Sequence, residues 1–190
     1  MNDQRPPTAP FLTGSRLGLR HPVLADARNA SSWHEGPFPI SETQAEELLR
    51  STEIHPWGSA PATRLIVDSV PDGVTLGGAV VERQHDRIGR IRLNAASWLA
   101  AGERDEIHAA ILDVLLPWML GELDLMVVTV DVTADHAATM ARAASLGMRE
   151  VVRLREHIRR PDCRVDLLTF EIVNPSWNHA LRDRMEQPNA

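Results

Sequence analysis

Lysine and tyrosine are absent from this 190-residue chain, and cysteine occurs once. All 20 basic residues are therefore arginine. Arginine keeps its proton at any ordinary pH, so no mechanism here can run through a Schiff-base lysine. The missing tyrosine removes the phenol as a general acid. The lone Cys163 cannot close an internal disulfide, which fits a reducing, cytoplasmic setting. Long apolar runs are also lacking. The longest, IHAAILDVLLPWML, is interrupted by His108, Asp113 and Pro117, so no membrane span is expected. The opening MNDQRPPTAPFLTG has no apolar core and does not read as a secretory signal. Positive charge is in deficit: the net charge of −6 argues against a general nucleic-acid binder. No histidine pair has the H-x-x-x-H spacing, and no structural metal is expected.

What is present suits one domain with a sizeable core. Residues 1–14 are proline-rich and read as a loose arm, 15–178 as the domain and 179–190 as a polar tail. RLGLRH predicts a first strand, Pro22 to Ala30 a helix, and SSWHEGPFP a loop because of its glycine and prolines. Ser41 with Gln44 three residues later is a capping box opening SETQAEELLRS. ATRLIVDSV and VTLGGAVVER flank the turn Pro71-Asp72-Gly73, and RIGRIRLNAAS predicts a third consecutive strand. In the long helix that follows, Ile107, Ile111, Val114 and Trp118 recur at helical spacing. Pro117 is expected to kink or shorten it, and Gly121 to stop it. LMVVTVDVT suits a strand covered on both faces. Asp135 is placed to cap HAATMARAASL, which ends at Gly147, and REVVRLREHIRR with CRVDLLTFEIV forms a closing hairpin. The order predicts an α/β protein with a single mixed sheet and helices on both faces.

That order, together with DVTADHAATMARAASLGMREVVRLRE, resembles the GNAT acyltransferase superfamily, and most of all its branch that acetylates protein N-termini, including those of ribosomal proteins. The best-matched segment is SLGMREVVRLRE, where Met148 stands in the place of the family's usual phenylalanine. The resemblance spans Arg16 to Trp177. It implies a mixed, mostly antiparallel sheet with a splayed central strand pair. Acyl-CoA, by default acetyl-CoA, lies in that gap, with its pyrophosphate on the amides that open the long helix. Unpaired N–H groups and the helix dipole favour an anion there. By the same resemblance, Leu93, Asn94 and Ala95 lie at the gap and offer a backbone oxyanion donor. Gly102, Glu103, Arg104 and Ile107 belong to the cofactor-binding segment.

This chain departs from the pattern twice. The family's loop reads Gln/Arg-x-x-Gly-x-Gly/Ala. Counted without gaps, its basic residue falls on Ala101 and its small residues on Arg104 and Glu106, and a shift of two recovers only Gly102. Glu103, Asp105 and Glu106 bring negative charge to a phosphate site, unless they point to water or serve the helix dipole. In the later helix, the positions of the family's asparagine and tyrosine hold His136 and Ala143.

Candidates for the remaining roles are Glu82, His85 or His136 as base, Thr139 as proton donor to the leaving thiolate, and Trp33, His34 and Asp166 at the acceptor, with Trp57 and Trp98 as possible walls. The expected function is acyl-CoA-dependent transfer, most simply of acetyl, to a primary amine of a peptide N-terminus or small metabolite. The alternative is a non-catalytic GNAT-like binding or assembly domain. A homodimer through the closing strands is the partner the resemblance implies.

Overall fold

The computed structural model describes residues 9–34, 38–53, 62–85 and 87–177. The first eight residues of the expected arm, the tail, Trp57 and the side chain of His85 lie outside the described residues. A two-residue strand β1 (Leu12–Thr13) and β2 (Leu17–Arg20) lead into a 3-10 turn (Leu24–Asn29), a short helix α1 (Ala30–Trp33) and α2 (Glu42–Glu53). An antiparallel meander follows: β3 (Ala62–Ser69), β4 (Thr75–His85) and β5 (Ile88–Ala95). Helix α3 (Ala101–Gly121) crosses over to β6 (Val127–Thr133), parallel to β5. After α4 (Ala137–Ser145), the hairpin of β7 (Arg149–Arg159) and β8 (Arg164–Val173) places β8 between β6 and β7.

The local causes are those the sequence carries. Ser41 N–H donates to Gln44 Oε1 at 2.9 Å and Gln44 N–H to Ser41 Oγ at 3.2 Å, a complete capping box for α2. Gly147 takes φ +86°, a left-handed conformation that stops α4. On β3, Leu65 and Val67 pack into the cluster under α3, while Ile66 packs with Trp33 and Leu49 beneath α1 and α2. Alternate residues of one strand thus serve opposite faces, which is why it reads as a continuous apolar run.

Four expectations are corrected. Within the segment read as a loose arm, Leu12–Thr13 pairs with β2, and Phe11 stacks on His21 at 5.0 Å. SSW belongs to helix α1 rather than to a loop; Trp33 is fully buried and anchors it. Helix α3 runs through Pro117 to Gly121. Leu115, Leu116 and Met119 are buried on both sides of the proline, and each contributes ~1.5–3 kcal/mol against a proline penalty of ~3 kcal/mol. Finally, His136, not Asp135, is the N-cap residue of α4, and it makes no side-chain cap.

The feature that positions the site is a fork. β5 and β6 pair only from Ile88↔Val127 to Ile91↔Val130. Beyond that, Arg92–Ala95 stays with β4 and Asp131–Thr133 stays with β8. An ion pair between Arg90 and Asp131 bridges the strands where pairing ends, and Thr169 Oγ1 donates to the same carboxylate at 2.8 Å. On the opposite face from α3, α1 sits hard against β4: a Cβ on Gly78 would stand 2.7 Å from Trp33 O. Arg20 ties this layer together by donating to Asp26 at 2.8 Å and to Asp68 at 2.6 Å. Burial alone would lower the Arg20 pKa, but these hydrogen bonds raise it above its ordinary value.

Candidate active site

At the mouth of the fork lies a cleft of about 490 Å³. Asn94 and Ala95 of β5 form one wall, Ala101, Gly102, Arg104, Asp105 and His108 of α3 another, and Asp135, His136 and Arg160 close the third side. Ala96 N–H donates to Leu76 O on β4 at 2.8 Å. Strand alternation therefore turns the amides of Ala95 and Leu93 toward the gap.

The opening turn of α3 supplies the second set of donors. Its first intrahelical bond runs from Arg104 N–H to Ala100 O at 2.9 Å. The amides of Ala101, Gly102 and Glu103 precede it and have no acceptor within the helix. A Cβ on Gly102 would meet nothing within 4 Å, so no packing demand explains the glycine and the backbone there is open to the cleft. Ala100 itself has no side-chain oxygen, so the cap consists of the Glu103 arm alone, which accepts from Ala100 N–H at 2.9 Å.

The other acids of this turn are engaged elsewhere. Glu106 is exposed and faces Arg16 at 3.5 Å. Asp105 is buried and reaches across to α4, where it accepts from Ala138 N–H at 2.7 Å, Thr139 N–H at 2.9 Å and Thr139 Oγ1 at 2.6 Å. It caps the helix that His136 leaves uncapped. Burial would raise the Asp105 pKa; the hydrogen bonds from Thr139 and the two amides outweigh it and hold the group below the ordinary carboxylate value.

Arg104 lines the cleft, and its side chain makes no hydrogen bond or ion pair among the described residues. His108 follows one turn later on the same face. Its Nε2 is buried and has no hydrogen-bond partner, and its ring lies 5.0 Å from that of His136. Burial, followed by the neighbouring His136, lowers the His108 pKa to about 4. On the far side, Arg160 holds Asp135 at 2.8 Å, and Thr133 donates to the same carboxylate. The Arg160 hydrogen bond is the main cause of an Asp135 pKa well below the usual range.

The residues singled out in the sequence divide accordingly. Leu93, Asn94, Ala95, Gly102, Arg104 and His136 come together at the fork. Ile107 is buried in the core beside them, and Glu103 serves as a cap rather than a ligand. Glu82 does not reach the site. It pairs with Arg92 at 3.2 Å and sits four residues along β4 from Gly78, about 13 Å at the strand rise. Thr139 is 1% exposed with its hydroxyl donated to Asp105, so it is not available to a departing thiolate. Asp166 accepts from Glu156 N–H at 2.9 Å and from Arg153 at 3.0 Å, fixing the bulge of β7 and not an acceptor. Trp33 is core, with Nε1 donating to Asp26 O. His34 follows it, half-buried, with Nδ1 unpartnered. Trp98 is 58% exposed beside Asn94; both donate to Ser32, at 3.4 Å and 3.3 Å.

A mixed sheet with a forked parallel pair and a helix N-terminus at the fork defines the GNAT class of acyltransferase folds, and the chain has that fold. No family model matches the sequence, and no curated protein matches it. Among solved structures, the chain is similar to a candidate acetyltransferase from Sphaerobacter thermophilus DSM 20745, with 29% identity and a TM-score of 0.66 over 85% of this chain and 96% of that one. The spermidine/spermine N-acetyltransferase SpeG of Vibrio cholerae matches with 17% identity and a TM-score of 0.62, over 86% and 98%. A candidate ribosomal-protein-serine acetyltransferase from the same organism gives 16% and 0.61, over 86% and 97%. The last two likenesses are of fold alone.

Proposed function

We propose that the protein is an acyl-CoA-dependent N-acyltransferase, acetyl-CoA being the default donor and a primary amine of a peptide N-terminus or small metabolite the acceptor. The observation that carries this reading is the engagement of the acids at the fork: Glu103 caps, Asp105 lines the cleft but is bound to α4, and Glu106 faces Arg16, which leaves open amides beside an Arg104 side chain with no partner among the described residues. These groups fit a diphosphate. When bound, acyl-CoA supplies the activated acyl group. The chain's own part is to orient that group between β5 and β6, to donate the Leu93 or Ala95 amide to its carbonyl oxygen, and to move protons through His136. Acceptor amines enter from the side of His34 and Trp98. SpeG acts on spermidine and spermine, which makes a polyamine one acceptor to try.

A second reading, a binding domain without chemistry, has its own support: Ala143 is wholly buried and Thr139 is committed to Asp105, so neither α4 position offers the thiolate a hydroxyl. Thermal unfolding with acyl-CoA separates the two. Acetyl-CoA at about 100 times its dissociation constant should stabilise the protein by roughly 2.7 kcal/mol, followed by thiol release with a panel of amines. No shift with acetyl-CoA or longer acyl-CoA favours the second reading.

We also propose that two copies associate along β7, the outer strand of the sheet, where Val151, Val152 and Leu154 are each more than 40% exposed.

A further inference from the structure

We propose that His108, with Arg104 one turn before it on α3, takes over the grip on the ligand's diphosphate that glycine amides provide elsewhere, and that binding draws a proton onto His108. The inference rests on the reading that acyl-CoA occupies the fork. Three observations point to it. The Nε2 atom of His108 is buried in the wall of the cleft with no partner, an arrangement that costs free energy unless a ligand satisfies it. The side chain of Arg104, at i−4 on the same face, lacks any hydrogen bond or ion pair among the described residues. The turn holds only one glycine, Gly102, so close approach of the backbone is limited to that point.

The charged and polar groups that share the cleft with His108 come from several elements. Arg104 and Asp105 lie on its own helix, His136 and Asp135 on the turn after β6, Arg160 at the end of β7 and Asn94 on β5. Both acids are already engaged, Asp105 by α4 and Asp135 by Arg160. The charge of Asp105 favours a protonated imidazole, but burial and then His136 outweigh it and keep the ring neutral. A diphosphate oxygen accepting from Nε2 reverses that balance. One proton passes from solvent to the imidazole, and no other bond forms or breaks.

Calorimetric titration at pH 6, in two buffers of different ionisation enthalpy, counts the protons taken up. Dephospho-CoA is the probe, because it lacks the phosphomonoester whose own second ionisation falls near 6. The wild type should take up most of one proton per ligand. Its dissociation constant should rise roughly tenfold from pH 5.5 to pH 8 if the bound histidine regains an ordinary pKa. His108→Gln should bind more weakly with no uptake and a flat profile, and pantetheine, lacking the diphosphate, should bind without uptake. Binding of dephospho-CoA without proton uptake, or uptake that persists in His108→Gln, overturns the inference and leaves the transferase reading standing. Failure of the wild type to bind dephospho-CoA or acetyl-CoA at all sinks both. Should His108→Gln fail to fold, the wild-type comparison of dephospho-CoA with pantetheine decides alone.

Discussion

Asp105 lines the cleft in a turn where its charge ought to repel a phosphate, yet its carboxylate is taken up by a second helix, which it organises. Three donors converge on it from α4, two of them opening-turn backbone amides that would otherwise lack an acceptor in the helix. Removing it leaves those amides unsatisfied. Asp105→Ala should therefore destabilise the fold by about 2–3 kcal/mol, read as a lower urea midpoint with an unchanged slope. The pH dependence has a definite sign. The folded-state pKa is depressed, so the contribution is present above the ordinary aspartate value and is lost as pH falls through the lower, folded one. The acid limb of the wild-type stability curve should be steeper than that of the variant. None of this was legible locally, because the partners lie more than 30 positions apart and the acid could equally have served its own helix dipole.

At the scale of elements, glycine spacing on β4 sets how closely α1 approaches the fork. A methyl group on Gly78 would meet the backbone oxygen of Trp33, not a side chain that can swing aside. Gly78→Ala should cost about 1–3 kcal/mol in chemical denaturation and weaken acyl-CoA binding by moving the wall that carries Ser32 and Asn94. The strands and long helices were readable because each rests on a short-range pattern: alternation in RLGLRH, the Ser41–Gln44 box, the apolar spacing in α3. Helix α1 was not, because four residues carry too little periodicity against the nearby Gly36, Pro37 and Pro39. The fork amides at Leu93 and Ala95 were placed by resemblance rather than by side chains, since a backbone donor demands none. Glu82, Thr139 and Asp166 are each engaged by a polar partner that only the folded chain brings near, which a reading of local pattern does not reveal. His108 did leave a signal, a lone imidazole at i+4 from Arg104 where α3 turns from its charged opening to its apolar stretch, though the same pattern fits a core-flanking histidine.

For the whole molecule, the outer edge at β7 carries the prediction about assembly. Sedimentation equilibrium should return twice the 21.1 kDa chain mass, and the pair Val152→Arg with Leu154→Arg should return a single chain. A wild type that sediments as one chain removes the proposed association. The fork has a mechanical consequence as well. The two halves of the sheet are bolted along only four rungs, from Ile88↔Val127 to Ile91↔Val130, and each half keeps its own partner strand to its tip. Such a pair of blades can scissor about those rungs without breaking a single ladder bond. A bulkier cargo would then be met by compliance of the jaw rather than by a hard steric limit.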